Sequence, residues 1–238
     1  ITRPILAIEM AKMSTSSGMV PPFFFWFHHA GCEGAWKNRD WHDPSMKRSF
    51  EEYFDEAVDE NWWGGVDYPR KEQTPRVLIE CGGNVLRRTR GGSKMLLKHL
   101  WPDLNMIVSM DIRMSMTALY SDYVLPIANQ YEKIGFGIPS THTMNLTFCD
   151  RAIEPPGEAV NEWEALRRLS EKLEQRAKER GFEGYADARG GEHQLQNCHS
   201  NFTRDGLFVD EDIIADEMIR DSAMLGSLPA NASLEEIR

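Results

Sequence analysis

The sequence predicts an α/β fold with a mostly parallel sheet flanked by helices, and three neighbouring segments support this prediction. Val77–Cys81 and Met106–Met110 are short runs rich in apolar and β-branched residues, as is typical of strands buried on both faces of a sheet. Between them lie a glycine turn, a basic loop and the helical spacing of Met95–Leu100, which ends before Pro102. Strand, helix and strand in this order predict a βαβ unit, whose right-handed crossover places the loops after both strands at one edge of the sheet. In such sheets ligands bind at that edge.

The segments that precede this unit predict two helices and one strand. Ile5–Met13 has helical spacing and ends at a stretch rich in serine and glycine. Pro22–His28 is an aromatic run too hydrophobic for an exposed edge strand. Ser49–Trp63 predicts an amphipathic helix that two glycines end. The apolar face of that helix comprises Phe50, Phe54, Ala57, Val58 and Trp62.

The segments that follow the unit predict a further strand and two longer helices. Ser115–Asp122 predicts a short helix or turn, and Tyr123–Ala128 predicts a strand. Ala159–Gly181 predicts the longest helix, and Asp210–Ser222 predicts another with the acidic first turn that a helix dipole favours. Residues 181–206 are polar and predict a loop-rich insertion. The apolar stripe of the longest helix comprises Trp163, Leu166, Leu169, Leu173 and Ala177.

Composition excludes several classes of partner. The hydrophobic fraction of 41% supports a globular core, and the net charge of −10 argues against a nucleic-acid partner. No run approaches the ~20 apolar residues of a membrane helix. The four cysteines are scattered without a C-x-x-C pair, so neither a zinc site nor a disulfide framework is indicated.

The loops after the two strands of the βαβ unit contain residues suited to an anionic ligand. Glycines let a backbone approach a ligand closely, and backbone amides with arginines bind phosphate oxygens. A carboxylate at a strand end accepts hydrogen bonds from a ribose or a guanine edge. The first loop contributes Gly82, Gly83, Asn84, Arg87, Arg88, Arg90 and Gly91, and the second contributes Asp111, Arg113, Ser115 and Thr117.

Spacing alone leaves a second interpretation of these loops open, namely a tight strand-to-helix connection with solvated arginines. The fingerprint G-x-G-x-x-G is absent, so an ordinary NAD-type Rossmann site is not supported.

Two other groups of polar residues each have two interpretations. His28, His29, Cys32 and His42 could bind a metal, but their spacing matches no standard site, and we favour their interpretation as polar loop residues beside a core strand. Tyr131, Glu132 and Lys133 could transfer protons, or form a surface salt bridge that closes a loop, which is the interpretation we favour.

The motifs of the central unit resemble one enzyme family. The run GGNVLRRTRGG, then LWPDLNMIVSMDIRMSMTALYSDYVLP and YEK, resembles the catalytic subunits of the dimethyl sulfoxide reductase superfamily. The closest pattern is that of the branch with ethylbenzene dehydrogenase, steroid C25 dehydrogenase, dimethylsulfide dehydrogenase, and selenate, chlorate and perchlorate reductases. That branch has a proline where this chain has Val85, and an Asp-Trp pair, whose acid can reach the guanine, where this chain has Glu162-Trp163.

This resemblance implies a cofactor, partners and a domain division. It implies a molybdenum bis(molybdopterin guanine dinucleotide) cofactor, an iron–sulfur cluster outside this segment, and a loop around His142 close to the cofactor. It also implies an iron–sulfur electron-transfer subunit, a haem b subunit, a periplasmic location and a small-molecule substrate. The reaction would be hydroxylation of a hydrocarbon or sulfide with water, or reduction of an oxyanion.

We further expect the chain to be an internal piece of a longer polypeptide, because it begins without methionine and ends just after a capped helix start at Ser233. Residues 1–180 would form a Rossmann-like molybdopterin guanine dinucleotide-binding lobe. Residues 181–238 would form the insertion and the helical start of the next segment.

Two functions of other classes remain open at this point. One is a nucleotide-binding lobe of an enzyme without molybdenum, which would bind nucleotide without any metal requirement. The other is a non-catalytic module that docks a partner through its tryptophan-rich helix and acidic surface.

Overall fold

The computed structural model describes residues 30–31, 34, 37–41, 43–60, 74–89, 91–137, 147–187, 189–224, 226 and 228–238. The chain divides into two compact units. The described residues between 30 and 124, with those between 186 and 192, belong to one unit, here called the N-terminal unit. The described residues between 125 and 185, with those between 193 and 238, belong to the other, the C-terminal unit.

The N-terminal unit contains the predicted βαβ unit. A 3₁₀ turn, Arg39–Trp41, is followed by α1, Phe50–Asp59. Strand β1, Val77–Cys81, and strand β2, Met106–Asp111, are parallel, with Val77 beside Met106 and Cys81 beside Met110. Strand β3, Tyr123–Pro126, begins in this unit and is the third strand in the sheet order β1-β2-β3. The α/β fold with parallel pairing of β1 and β2 is therefore confirmed.

The connection from β1 to β2 is more finely divided than the sequence predicts. It consists of two short helices, α2 at Val85–Arg88 and α3 at Gly92–Met95, then a π-helical turn at Leu96–Leu100 and a 3₁₀ turn at Trp101–Asp103. Helix α4, Met116–Leu119, follows β2. The core under this connection consists of Ala30, Leu86, Leu96 and Leu100, with Val85, Leu97, Trp101, Leu104 and Met116 partly buried around it.

The expectation that β1 is buried on both faces is wrong for the described part of the chain. Val77 is 49% exposed and Ile79 is 42% exposed, whereas Glu80 is only 5% exposed. Successive side chains of a strand point to opposite faces, and no described element covers the face of Val77 and Ile79. The single charged residue of the run is thus on the covered face.

Helix α1 begins and ends inside its predicted range. Ser49 and Glu52 form a capping box, in which the Ser49 backbone N–H donates to Glu52 Oε2 at 2.7 Å and the Glu52 N–H donates to Ser49 Oγ at 3.2 Å. Phe54 is its buried apolar residue, at 5% exposure. Ile5–Met13, Pro22–His28, Trp62 and the cluster His28, His29, Cys32 and His42 lie outside the described residues.

The C-terminal unit packs helices around a small antiparallel pair. Strands β4, Gly135–Gly137, and β5, Thr147–Cys149, are antiparallel. Helix α5 spans Glu162–Glu179 and α7 spans Glu211–Met224, both close to prediction. The last helix, α8 at Leu234–Ile237, is capped by Ser233, as predicted. The core consists of Ala215, Ile219, Ala223, Ala232 and Leu234, with Ile134, Phe136, Phe148 and Leu228 packed against it.

Residues 181–206 contain more regular structure than we expected. Strands β6, Gly184–Ala186, and β7, Glu192–Gln194, pair as a hairpin, and α6 spans Cys198–Thr203. The prediction of a loop-like segment is therefore wrong in its secondary structure. The proposed domain boundary at residue 180 stays a prediction.

The apolar stripe predicted for α5 is also partly wrong. Leu169 is 39% exposed and Leu173 is 45% exposed, whereas Ser170 and Ala177 are buried. Helix α6 packs on the Ser170 side of α5, where Ser170 Oγ lies 3.0 Å from His199 Nδ1. Helix α6 thus covers the face of α5 that contains Ser170, and Leu169 and Leu173 stay exposed.

Candidate functional site

The turn after β1 has a left-handed backbone at two of its residues. Gly82 has φ +63° and Asn84 has φ 47°, both in the left-handed region. The Gly82 N–H donates to the carbonyl oxygen of Met110 at 2.9 Å, which ties the turn to the end of β2. A Cβ atom on Gly83 would lie 2.6 Å from Glu80 Oε1, so a larger residue there requires the carboxylate to move. The turn is therefore held against both strands.

Asn84 is linked to the loop after β2. Its Oδ1 accepts hydrogen bonds from the backbone N–H and the hydroxyl of Thr117, both at 3.3 Å. Thr117 Oγ1 in turn accepts from the Leu86 backbone N–H at 3.2 Å. The structure thus brings Asn84 and Thr117 together, 33 residues apart in sequence. Val85, where the resembling branch has proline, is the first residue of α2, a position that tolerates proline.

The described arginines at this edge have no acidic partner among the described residues. Arg87, Arg88 and Arg113 are exposed, and none of them has an ion pair within the described part of the chain. In a chain with net charge −10, unpaired guanidinium groups concentrated after β1 and β2 form a local positive surface. Such a surface suits a phosphate-bearing ligand.

Asp111 ends β2 and is nearly buried, at 7% exposure. Among the described residues its carboxylate has no hydrogen-bond or ion-pair partner. A buried carboxylate needs donors to offset the loss of hydration. Asp111 therefore offers two acceptor oxygens to a ligand at this edge of the sheet.

Ser115 and Thr117 have their hydroxyls engaged inside the fold. Ser115 Oγ caps α4 by accepting from the Ala118 N–H at 3.2 Å, and Ser115 is 5% exposed. Thr117 is 0% exposed and holds Asn84. These two predicted site residues hold the loop after β2 in place, and direct contact of either with a ligand stays a prediction.

Glu80 is a site residue that the sequence reasoning missed. Its Oε2 accepts from Ser109 Oγ at 3.2 Å, while Oε1 is buried without a hydrogen-bond partner among the described residues. The available signal was the single charged residue inside the apolar run of β1. It lies below the Gly82–Asn84 turn and shapes it through Gly83.

The remaining predicted residues have mixed outcomes. Gly91 has φ +72° and precedes α3, and a Cβ atom on the next residue, Gly92, would lie 2.6 Å from the carbonyl oxygen of Val85. Both glycines are thus required by the local backbone. Arg90 and His142 lie outside the described residues, so their place at the site stays a prediction.

The Tyr131, Glu132 and Lys133 group does not assemble as a proton-transfer site. Lys133 Nζ donates to both carboxylate oxygens of Glu162, at 2.5 and 2.6 Å, whereas Glu132 accepts from the Asn129 backbone N–H at 2.7 Å. Tyr131 is 72% exposed. The salt bridge that we favoured exists, but its acid is Glu162. Lys133 thus holds both oxygens of the Glu162 carboxylate, and a contact of this acid with a guanine stays a prediction.

The described residues contain neither a metal-binding cluster nor a membrane-spanning helix. Within them, no group of three or more His, Cys, Asp or Glu side chains is arranged to hold a metal ion. No described helix is both long and apolar enough to span a bilayer. Cys149 and Cys198 have thiols outside any disulfide among the described residues, and the Cys81 thiol donates to the Met110 sulfur at 3.9 Å.

Comparisons with known proteins show which family this chain resembles. Residues 89–172 match the family model described as "Molybdopterin oxidoreductase". The chain is 37% identical over 156 residues to the perchlorate reductase subunit alpha of Dechloromonas aromatica, covering 65% of this chain and 16% of that protein. It is 30% identical over 204 residues to the respiratory nitrate reductase subunit alpha of Haloferax mediterranei, covering 83% of this chain and 19% of that protein.

A third relative is a dehydrogenase. The chain is 29% identical over 169 residues to the dimethylsulfide dehydrogenase subunit alpha of Rhodovulum sulfidophilum, covering 69% of this chain and 17% of that protein. The chain therefore spans less than a fifth of the length of these three relatives.

Proposed function

Because this chain carries a segment of the molybdopterin oxidoreductase family, we propose that it is part of a molybdenum enzyme's catalytic subunit and binds one molybdopterin guanine dinucleotide. The observation that supports this most strongly is the edge after β1 and β2. The loops there contain three exposed arginines without acidic partners among the described residues, and β2 ends there with Asp111, a nearly buried carboxylate that likewise has no described partner.

The residues at this edge fit the chemical groups of such a cofactor. Arg87, Arg88 and Arg113 offer charged donors to phosphate oxygens, and the backbone of Gly82 and Gly83 allows close approach. Asp111 offers acceptors to the N–H groups of a guanine or to a ribose. When bound, the cofactor supplies the redox chemistry at molybdenum, and the protein residues bind it and orient it.

The activity of the whole enzyme is an extension of this proposal. The relatives are named as reductases of perchlorate and nitrate and as a dehydrogenase of dimethylsulfide. We infer a small-molecule substrate that is either an oxyanion to be reduced or a hydrocarbon or sulfide to be hydroxylated with water. The proposal also includes a second molybdopterin guanine dinucleotide and an iron–sulfur cluster in the complete subunit. It further includes an iron–sulfur subunit and a haem b subunit as partners, and a periplasmic location. The family match weighs against a nucleotide lobe unrelated to molybdenum.

Removal of two arginines tests the proposal. In the complete catalytic subunit, Arg87→Ala with Arg88→Ala should lower the molybdopterin content per polypeptide by about tenfold or more, because each charged hydrogen bond lost weakens binding by roughly that factor. The measurement is pterin fluorescence after oxidation, with molybdenum determined by mass spectrometry.

A charge-matched control separates local contact from net charge. Arg176→Ala with Arg180→Ala removes the same charge from exposed positions at the end of α5 and should leave cofactor content unchanged. Full cofactor content in the Arg87/Arg88 double variant would refute the assignment of this edge.

A further inference from the structure

The side-chain amide of Asn84 has only one orientation consistent with its neighbours. The backbone N–H of Thr117 is solely a donor, so the Asn84 atom that faces it at 3.3 Å is the carbonyl oxygen. The Thr117 hydroxyl accepts from the Leu86 N–H, which leaves the hydroxyl proton free to be donated to the same Asn84 oxygen. The backbone N–H groups of Leu86 and Thr117 can only donate, so they fix the direction of these hydrogen bonds. The oxygen of the Asn84 amide must therefore face Thr117.

This orientation leaves the NH₂ group of Asn84 for another partner. Within the described part of the chain, that group has no acceptor. Asn84 is half-buried and has φ 47°, a conformation that asparagine tolerates better than most residues other than glycine. The turn after β1 consequently presents the two N–H donors of the Asn84 side-chain amide. Such donors bind an acceptor oxygen, for example that of a phosphate or a carbonyl group.

We propose that Thr117 is a positioning residue that fixes the Asn84 amide, so that Asn84 donates to an acceptor oxygen of the ligand. The proposal rests on the proposed function, because it takes the edge after β1 and β2 as the cofactor site. Thr117 itself is 0% exposed and acts only through Asn84. An aspartate at position 84 would keep the bond to Thr117 but would present a negatively charged acceptor to the ligand.

A double-mutant cycle in the complete catalytic subunit tests this coupling. Thr117→Val removes the hydroxyl, and Asn84→Gly removes the amide without straining the left-handed turn. With cofactor supply below saturation, T117V should lower the cofactor content per polypeptide by about fivefold, and N84G by about tenfold. T117V should lower it by less than about twofold when N84G is already present, because residues that act through each other are not additive.

Two further variants separate positioning from stability. Thr117→Ser keeps the hydroxyl and should restore most of the cofactor content. Asn84→Asp should lower the content at least as far as N84G, while the thermal midpoint of the cofactor-free protein stays close to that of the wild type. Normal loading of N84D would overturn the proposal even if T117V fails to fold.

The outcomes distinguish this inference from the proposed function. If Arg87→Ala with Arg88→Ala retains the cofactor, the edge is not the cofactor site and both proposals fail. If that double variant loses the cofactor but T117V lowers the content by the same factor with and without N84G, only the positioning role of Thr117 fails.

Discussion

At the scale of single residues, the assignment of the ligand edge depends on Asp111. It ends β2, is 7% exposed and has no partner among the described residues. The alternative role of helix cap belongs to Ser115, whose Oγ accepts from the Ala118 N–H. The carboxylate of Asp111 therefore has no structural task within the described part of the chain that would explain its burial.

Asp111→Asn should lower cofactor binding without changing the stability of the fold. The substitution keeps the size but replaces one acceptor oxygen with a donor, which then faces a donor of the ligand at a cost of about 1–3 kcal/mol. Cofactor content at limiting supply should fall by about one to two decades, while the thermal midpoint of the cofactor-free subunit stays nearly unchanged.

The matched control for Asp111→Asn is Asp103→Asn, an exposed aspartate that precedes β2 and so lies at the other end of that strand. It carries the same change in charge and should leave the cofactor content at the wild-type level. A stability loss in Asp111→Asn with normal loading would show that Asp111 supports the fold and that the ligand edge is misplaced.

Some site residues could be predicted from the sequence and others could not. Arg87, Arg88 and Asp111 follow from the rule that the carboxyl ends of parallel strands meet at one edge, which needs only the positions of the strands. The bond between Asn84 and Thr117 depends on the path of the crossover, which no local pattern encodes. Glu80 was missed because an apolar run predicts a strand but does not show which of its faces is covered.

At the scale of elements, α5 shows where local periodicity fails. Its leucines predicted the covered face, but the structure covers the side of Ser170 and Ala177, where α6 packs. Trp163 stacks on Phe202 with ring centroids 5.8 Å apart, which anchors this arrangement. Because α6 lies in a polar segment without an apolar period, no sequence pattern indicates this helix, which covers one face of α5.

Glu174 of α5 takes the place of a cap for α6. Its Oε2 accepts from the backbone N–H groups of His199 at 2.9 Å and Ser200 at 3.1 Å, in the first turn of α6, while Asn197 makes no side-chain cap. The hydrogen bond from Lys178, together with these backbone bonds, holds the pKa of Glu174 below its ordinary value despite burial. The carboxylate thus joins two helices that sequence patterns treat separately.

Glu174→Ala should destabilise the packing of α6 on α5. Two orphan N–H groups lose their acceptor, and the loss of a helix cap costs about 1–2 kcal/mol. The measurement is the free energy of unfolding by denaturant, with amide exchange at His199 and Ser200 as a local readout. Glu174→Gln keeps an acceptor oxygen and should lose less, and Glu171→Ala, an exposed position on the same helix, should have little effect. Equal losses for Glu174→Ala and Glu171→Ala would contradict the capping role.

At the scale of the whole chain, an acidic protein carries one basic edge and several networks of ion pairs. The net charge is −10, yet the arginines after β1 and β2 remain unpaired among the described residues, while those of α5, α7 and the last residue are paired. The proposed function requires unpaired arginines at the ligand edge, since only cations without an acidic partner are available to a ligand. The described carboxyl groups whose pKa is lowered are Asp43, Glu52, Asp150, Glu164, Glu174 and Asp216.

These lowered pKa values predict how stability depends on pH. A carboxyl group whose pKa is lower in the folded state stabilises that state above its unfolded pKa of about 4, and this contribution is lost as the pH falls through the folded pKa. Between pH 7 and 5, the uptake of protons stabilises the folded state, because it reduces the net negative charge and hence the self-repulsion of an acidic chain. The thermal midpoint should therefore change little from pH 7 to about 5 and fall steeply below about pH 4.

The ion pairs of Arg238 allow a specific test of this pH dependence of the thermal midpoint. Its guanidinium donates to Asp150 at 2.8 and 3.0 Å and to Asp212 at 2.9 and 3.0 Å, and the hydrogen bonds to Arg238 are the main cause of the lowered pKa of Asp150. Arg238→Ala should lower the thermal midpoint at pH 7, and the difference from the wild type should shrink below pH 4, as the pH falls through the lowered pKa of Asp150. Arg180→Ala removes the same charge from an exposed position and should lower the midpoint less at pH 7. A gap between wild type and Arg238→Ala that stays constant from pH 7 to pH 3 would show that Arg238 stabilises the fold by packing rather than by its ionic bonds.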